Sequence, residues 1–418
     1  MYGLADANNF YVSVHRVFEP AMRHRPVIVM SDNDGCAIAR SNEVKALGIP
    51  MGQAVFEIKE TIRRHNIKLY SSQFTLYADM SNRVMEILSR YVPQIEVYSI
   101  DECFLNFRGM HVDLWPYGKE IIRYAQAATG IPVSLGIAPT KTLCKIANKF
   151  AKKYPGYEGC CVIDTEQKRI KALQLTDIGD VWGIGRQHRK RLQRVGVRTA
   201  YDFTRLPRAW VRKEMTVVGE RMYRELHGEP CIEMALEPPP KKMIMSSKTY
   251  GKNVSEFPTV CASIADFSVR VARKLRENKR CAVKVGVFLL SNPHRTDLGE
   301  YGASYEIKLP FPTNSALEIN KYAQSIARAI YKEGIVNYKK AGVFVSQVVP
   351  ENQLQPNLFY AFDTEKHSRL MKVLDRLNGL ERNKVMIGSQ LLNHEWKISR
   401  NMLCPYYTTK VSDIIQAR

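Results

Sequence analysis

The sequence predicts an α+β protein built from several domains. Its 418 residues are more than one domain of about 100 to 200 residues would hold, and 45% of them are hydrophobic, enough to give each domain a core. Two stretches each predict the order strand, helix, strand, strand, helix, strand, which is typical of a split βαβ unit. A proline run, EPPPKK at 237–242, lies between them and indicates a linker.

The first of these units carries an insertion. Hydrophobic periodicity predicts a strand at 2–6, a helix near 75–90, a strand pair within 95–107, a helix near 117–128, a strand at 131–137 and a helix from about 140 to 153. The insertion follows the first strand and is roughly 70 residues long, so we expect it to form a subdomain of its own.

The second unit follows the linker. We expect strands at 245–251, 282–290, 303–309 and 341–348, with helices at 259–277 and 315–331. This order predicts a four-stranded sheet with two helices on one face. Basic residues greatly outnumber acids in the stretch 270–280, so the outer surface of this domain favours contact with a phosphate backbone.

The charge balance points to a polyanion as partner. The chain has 62 Lys and Arg against 41 Asp and Glu, a formal net charge of +21. Residues 241–350 alone hold 18 basic and 8 acidic residues, a net charge of +10. Nucleic acid is the leading interpretation, and the alternative is a highly solvated surface without a polyanionic partner.

Several classes of protein are excluded by composition. No apolar run approaches the roughly 18 to 20 residues of a membrane helix, and the first residues lack the features of a secretory leader. Nine cysteines without a CxxC pair suggest neither a disulfide framework nor a zinc site. We therefore expect a soluble cytoplasmic protein with no membrane partner.

Three carboxylates stand out because they accompany apolar strands. Asp6 ends the first strand, and Asp101 and Glu102 lie inside the strand pair at 95–107. Burying three acids is costly unless cations compensate them, and two Mg²⁺ ions would suit oxygen ligands and phosphoryl transfer. The alternative is that the acidic pair caps a turn and that Asp6 is a loop residue.

A Gly-Ile-Gly sequence precedes a strongly basic predicted helix. The residues Gly183, Ile184, Gly185 and Arg186 open this segment, and four more basic residues follow by position 194. Paired glycines allow backbone N–H groups to approach a phosphate, and the helix N-terminus adds its dipole. We favour contact with DNA over the alternative of a turn followed by a solvated helix face.

Four segments in succession resemble signatures of the Y-family, or translesion, DNA polymerases. They are LADANNFYVSV at 4–14, IARSNEVKALGIPMG at 38–52, YSIDECF at 98–104 and LGIAPTKTLCKIANKFAKK at 135–153. The resemblance continues through VWGIG at 181–185 to MLCPYYTTKVSD at 402–413, which is similar to the UmuC-like members. It covers essentially the whole chain.

The resemblance implies a right-hand polymerase architecture. The ferredoxin-like palm would comprise residues 1–10 and 75–165, and small fingers would comprise 11–74. A helical thumb with a helix-hairpin-helix would follow at 166–237, then a linker at 238–244, a β-α-β-β-α-β little finger at 245–350 and a C-terminal extension at 351–418 that holds a clamp-binding peptide.

The resemblance also implies roles for individual residues. Asp6, Asp101 and Glu102 would be the catalytic carboxylates holding two Mg²⁺ ions, with the Ala7 carbonyl on the nucleotide side. The expected nucleotide-binding residues are Tyr11 as the ring that excludes a ribose 2′-hydroxyl, Phe10 beside it, Lys45 and Lys141 on the triphosphate, and Asn42 where many members have tyrosine. For Phe10, packing in the core remains an open alternative.

The implied activity is error-prone, template-directed DNA synthesis on primer-template DNA with dNTP, across damaged template in the SOS and DNA-repair response. A non-catalytic scaffold for damaged DNA and a two-metal nuclease remain alternatives. The expected partners are a sliding clamp, a UmuD′-like dimer and a RecA filament. Gln355, Leu358 and Phe359 resemble a clamp-binding peptide, although a hydrophobic plug under a loop would give the same pattern.

Overall fold

The computed structural model describes residues 1–237, 239–295, 297, 299–354, 364–380, 384–391 and 396–415. They form two compact units, one of Met1–Ser31, Gly35–Pro238 and Met402–Arg418 and one of Asp32–Asp34 and Pro239–Asn401. The division falls inside the predicted linker, whereas the expected C-terminal extension is itself divided between the two units. Within the described residues, no helix is long and apolar enough to cross a membrane.

The first unit contains eight strands and ten α-helices in its described part. The strands are β1 (Tyr2–Ala7), β2 (Val27–Met30), β3 (Ala37–Arg40), β4 (Lys68–Ser71), β5 (Ile95–Val97), β6 (Glu102–Asn106), β7 (Val133–Ala138) and β8 (Cys160–Val162). The helices are α1 (Phe10–Phe18), α2 (Asn42–Ala46), α3 (Lys59–Arg64), α4 (Phe74–Ser89), α5 (Leu114–Thr129), α6 (Lys141–Lys153), α7 (Glu166–Gln174), α8 (Arg186–Arg194), α9 (Ala200–Thr204) and α10 (Arg208–Leu226).

A five-stranded sheet forms the centre of this unit, in the order β5-β6-β1-β7-β8. Ala5 and Cys103 point to one face, where they pack in a core with α4 and α5. Leu4 and Phe104 point to the other face, where they pack with α6, α7, α9 and α10. Gly136 allows α6 to approach β7 closely, because an added Cβ would lie 2.1 Å from a backbone nitrogen of the helix.

The insertion after β1 forms a small sheet of its own, as predicted. Its order is β3-β2-β4, with β3 antiparallel and β4 parallel to the central strand. Apolar residues of β2, β3, α2 and the adjoining loops form a separate small core, made of Ile28, Met30, Ala37, Val44, Ile49 and Ile67. This subdomain therefore has its own hydrophobic centre.

The second unit has the predicted β-α-β-β-α-β order. It consists of β9 (Met243–Val254), α11 (Phe257–Glu277), β10 (Arg280–Ser291), β11 (Gly302–Thr313), α12 (Ala316–Ile330) and β12 (Tyr338–Pro350), followed by α13 (Thr364–Leu380). The sheet is antiparallel in the order β11-β10-β12-β9, and both crossover helices share its core. The strands are longer than predicted; β9 and β11, for example, each extend beyond the predicted range at both ends.

Candidate active site

Strand pairing brings three acids to one end of the central sheet. Asp6, next to last in β1, lies directly opposite Glu102, the first residue of β6. The backbone N–H of Ala7 donates to the carbonyl oxygen of Asp101 at 2.8 Å, which holds the segment before β6 against the end of β1. Asp6, Asp101 and Glu102, predicted from separate parts of the sequence, are therefore neighbours.

Lysines of α6 neutralise two of these carboxylates. Lys152 Nζ lies 2.5 Å from Asp6 Oδ2, and Lys145 Nζ lies 2.7 Å from Glu102 Oε2. Burial raises the pKa of Asp6 to about 6; Lys152 opposes this shift, and the negative charges of Glu102 and Asp101 add to it. Asp101 instead accepts a hydrogen bond from Ser99 Oγ at 2.5 Å.

The donor set suits hard divalent cations. Three carboxylates from neighbouring chain segments supply oxygen ligands, and burial, which raises the pKa of Asp6, makes a compensating cation favourable there. As arranged here, no group of three or more His, Cys, Asp or Glu side chains among the described residues is close enough to hold a metal ion. The carboxylates would have to turn from Lys145 and Lys152 toward one another to share a cation.

Sequence reasoning missed Lys145 and Lys152. They lie seven residues, or two turns, apart, so they share the face of α6 that meets the carboxylates. This spacing was available as a signal. Lysines are commonly solvated, however, and nothing local in the sequence shows which face of α6 meets the sheet.

The structure does not bring Lys141 to this cluster, contrary to the sequence-based expectation. Lys141 is the first residue of α6, about 16 Å along the helix axis from Lys152. Its side chain is 1% exposed, pairs with Glu96 and donates to the carbonyl oxygen of Glu233 at 2.7 Å. The Lys141 ammonium is thus part of a buried ion pair and has no access to a triphosphate.

A cavity of about 890 Å³ adjoins Lys152, the ion-pair partner of Asp6; its lining includes Asn8, Asn9, Asn42, Lys45, Ser134 and Lys152, but none of the three carboxylates. Lys45 Nζ donates to Asn9 Oδ1 at 2.5 Å, and Asn9 Nδ2 donates to Asn42 Oδ1 at 3.0 Å. Burial lowers the pKa of Lys45, and the cations of Arg40 and Lys152 lower it further. Such a gathering of cations and amides would attract a polyanionic group such as a triphosphate.

Tyr11 and Phe10 have different environments. Tyr11 is half-buried, stacks on Tyr77 with ring centroids 4.2 Å apart, and meets Phe74 edge-on at 6.0 Å. Burial raises the pKa of the Tyr11 phenol, and the charge of Asp101 adds to this shift. Phe10 is 4% exposed and packs in the core. Phe10 therefore packs in the core, whereas Tyr11 is partly exposed.

The Gly-Ile-Gly segment leads into α8 as predicted. Gly183 has a φ of +93°, Ile184 is buried, and Gly185 immediately precedes the first residue of the helix, Arg186. Along α8 the basic residues fall into two groups. Arg189 and Arg191 pair with Asp177 and Glu214, whereas within the described part of the chain no ion pair engages Arg186, Lys190 or Arg194.

The three candidate clamp-binding residues, Gln355, Leu358 and Phe359, lie outside the described residues. Their predicted role rests on the sequence alone.

Comparison with known proteins identifies the family. The model of the impB/mucB/samB family matches residues 5–149, and the model of that family's C-terminal domain matches 241–358. The protein ImpB of Salmonella typhimurium is 37% identical over 423 aligned residues, which cover 100% of both chains. The chain belongs to the impB/mucB/samB family. The UmuC-like recognition and the Y-family polymerase class predicted from the motifs are confirmed.

Other members of the impB/mucB/samB family are equally well covered. Protein UmuC of Salmonella typhimurium is 37% identical with 100% of both chains covered, and protein MucB of Escherichia coli is 33% identical over 98% of this chain and 97% of its own. A solved Y-family DNA polymerase chimera of Dbh and Dpo4 has the same fold, with a TM-score of 0.66 at 19% identity, covering 84% of this chain and 99% of that one. Residues 368–417 match a domain of unknown function.

Proposed function

We propose that this member of the impB/mucB/samB family is an error-prone DNA polymerase that extends primers across damaged template by two-metal nucleotidyl transfer, in the SOS response. The observation that carries the proposal is the meeting of Asp6, Asp101 and Glu102 at the end of two paired strands. Lys152, the ion-pair partner of Asp6, also lines a cavity together with Lys45, which supports the proposal because phosphoryl transfer depends mainly on positioning and charge.

Asp6, Asp101 and Glu102 would hold two Mg²⁺ ions, and family resemblance adds the Ala7 carbonyl on the nucleotide side. When bound, the ions would make the primer 3′-hydroxyl more acidic and neutralise charge on the triphosphate. Cations at the acids would also remove the need for Lys145 and Lys152 as counter-charges. Lys152, which lines the cavity, would then be available to a phosphate oxygen.

The protein's own groups bind and orient the nucleotide. Lys152 and Lys45 supply positive charge. Asn9 accepts a hydrogen bond from Lys45 and donates one to Asn42, so the two amides together position Lys45. Lysine acts there as a point charge without the bidentate fork of arginine. Tyr11, supported by Tyr77, would exclude a ribose 2′-hydroxyl. Attack comes from the primer, so no protein nucleophile is required.

Basic surfaces would hold the duplex. The positive residues of α8 follow a glycine turn, and 18 basic against 8 acidic residues occupy 241–350. Contacts of this kind bind phosphates without reading bases, which suits an enzyme that must accept damaged template.

Primer extension separates this function from its alternatives. Purified protein is incubated with Mg²⁺, all four dNTPs and a labelled primer on intact and abasic templates. Lengthened primer on both templates supports the proposal. Shortened primer would instead indicate a two-metal nuclease, and binding without any change in length would indicate a scaffold.

The partners are also proposed from family resemblance. They are the sliding clamp, a UmuD′-like dimer and a RecA filament, all in the cytoplasm. For the clamp, replacing Leu358 and Phe359 with alanine should abolish stimulation of synthesis and leave clamp-independent extension intact. Full stimulation of that variant by the clamp would refute the clamp-binding role of Leu358 and Phe359.

A further inference from the structure

The C-terminal segment, residues 402–415, packs within the first unit beside α1. Tyr407 stacks on Phe18, with ring centroids 4.6 Å apart and planes 7° from parallel. The Tyr407 hydroxyl donates to Glu19 Oε1 at 3.0 Å. This segment belongs to the part of the chain that matches a domain of unknown function.

Glu19 links Tyr407 to buried side chains in the protein interior. Its second oxygen, Oε2, accepts a hydrogen bond from the Tyr70 hydroxyl at 2.7 Å. The Tyr70 ring stacks on His15 with centroids 4.0 Å apart, and His15 Nε2 lies 2.9 Å from the Tyr77 hydroxyl. The side chains of Tyr70, His15 and Tyr77 are all buried.

The path ends on Tyr11. Tyr77, held by His15, stacks on Tyr11 with ring centroids 4.2 Å apart and planes 16° from parallel. A second route runs through Cys404, whose Sγ lies 2.6 Å from Oε1 of Gln73. Gln73 immediately precedes Phe74, which meets the edge of Tyr11.

We infer that the C-terminal segment is a positioning element for sugar selection, acting through Tyr407, Glu19, Tyr70, His15 and Tyr77 on the ring of Tyr11. This inference rests on the proposed function, in which Tyr11 is the gate, the ring that excludes a ribose 2′-hydroxyl. It assigns a role to part of the domain of unknown function. Tyr407 and Glu19 are positioning residues, since neither touches the nucleotide.

A gate of this kind depends on support from behind. Tyr11 is half-buried and its ring stacks on Tyr77, so in the proposed function Tyr77 supports the ring from behind. Exclusion of a hydroxyl is a steric effect, and a displacement of about 1 Å is enough to alter reactivity strongly. Loss of the contacts behind Tyr77 would let the Tyr11 ring retreat, and a ribonucleotide would then fit.

The test compares kcat/KM for a dNTP and the matching rNTP in the full-length protein. Tyr407→Ala should reduce the preference for dNTP about tenfold while dNTP incorporation stays within about threefold of the natural protein. Tyr407→Phe keeps the stack on Phe18 and loses the bond to Glu19, so its reduction in dNTP preference should be smaller. Glu19→Gln changes the acceptor for both Tyr407 and Tyr70, so its reduction should be at least as large as that of Tyr407→Phe. The double variant Tyr407→Phe/Glu19→Gln should be no worse than Glu19→Gln alone, because both residues act in one path. Tyr406→Phe is the matched control and should change nothing.

Two results would overturn the inference. Equal losses for both nucleotides in Tyr407→Ala would mean a general structural role, and an unchanged preference in that variant would mean that the path carries no support. Tyr11→Ala distinguishes these from failure of the proposed function. If Tyr11→Ala admits ribonucleotides and the Tyr407 variants do not, only the inference fails. If Tyr11→Ala does not alter sugar preference, or if the natural protein does not extend primers, the gate fails and the inference falls with it.

Discussion

Lys152 Nζ lies 2.5 Å from Asp6 Oδ2, and Lys152 also lines the cavity together with Lys45. The same ammonium is therefore placed to neutralise the acid in one state and a phosphate in another. Lys145 has the corresponding relationship to Glu102, and the two lysines share one face of α6. The lysines that contact the carboxylates therefore lie on this face of α6 and not at the helix start, where Lys141 lies.

Lys152→Ala should raise the KM for dNTP by about tenfold to a hundredfold, because a hydrogen bond to a charged group is worth about 1.5 to 3 kcal/mol. A smaller effect on kcat is expected, since the carboxylates remain. Steady-state primer extension at varied dNTP concentration measures both values. Lys153→Ala is the matched control, because Lys153 lies over the Tyr154 ring and does not line the cavity. Equal effects of the two substitutions would contradict the assignment.

Lys141→Ala should act on stability rather than on nucleotide binding. The substitution leaves Glu96 buried without its cation, and breaking a buried pair in this way costs about 3 to 5 kcal/mol. Urea unfolding measures the loss. The double variant Lys141→Met/Glu96→Gln should recover much of the stability, because it removes both charges. An increase in the KM for dNTP in folded Lys141→Ala protein, with unchanged stability, would instead indicate that Lys141 contacts the triphosphate.

His15 should make stability fall in mild acid. Burial lowers the pKa of His15 to about 3, below its ordinary value of 6.5. Below pH 6.5 the unfolded chain therefore binds a proton at His15 that the folded protein does not bind. The free energy of unfolding then drops by about 1.4 kcal/mol per pH unit. Denaturant titrations of the natural protein and His15→Gln at pH 7.5 and 5.5 isolate the effect, since other titrating groups cancel. The natural protein should lose more by about 1.4 kcal/mol, and parallel losses would contradict the burial argument.

The two groups of basic residues on α8 should differ in DNA binding. Lys190→Ala/Arg194→Ala removes charges without an ion-pair partner in the described structure, and should lower the slope of log Kd against log salt by about two. Arg189→Ala/Arg191→Ala changes the net charge equally but removes residues paired with Asp177 and Glu214. Its slope should change less. Equal slopes in fluorescence anisotropy titrations would mean that total charge, rather than the helix face, governs binding.

Much of the fold followed from local patterns. The β-α-β-β-α-β order of the second unit was predicted because its helices and long strands carry strong periodicity. Asp6 and Glu102 were predicted to bind the same metal ions, because charge within apolar strands requires compensation. The strand register places the two residues opposite each other.

The features that could not be predicted depend on tertiary packing. The sequence around Lys141 does not reveal that Glu96, 45 residues earlier, lies beside it in the folded protein. Likewise, Phe10 and Tyr11 are adjacent aromatic residues, and only the folded helix α1 leaves the first fully buried in the core and the second partly exposed beside it. The contact between Tyr407 and Glu19 joins residues 388 positions apart and left no local signal.

The most direct test of the central claim is primer extension with Mg²⁺ by Asp101→Asn, a substitution that preserves size and removes the charge. Asp164→Asn is the control, because Asp164 pairs with Lys168 on the surface. The account predicts that Asp101→Asn lowers kcat at least about a thousandfold at unchanged DNA affinity, as expected when transition-state charge stabilisation is lost, and that Asp164→Asn remains active. Extension by Asp101→Asn at the rate of the natural protein would contradict the assignment of the three carboxylates to catalysis.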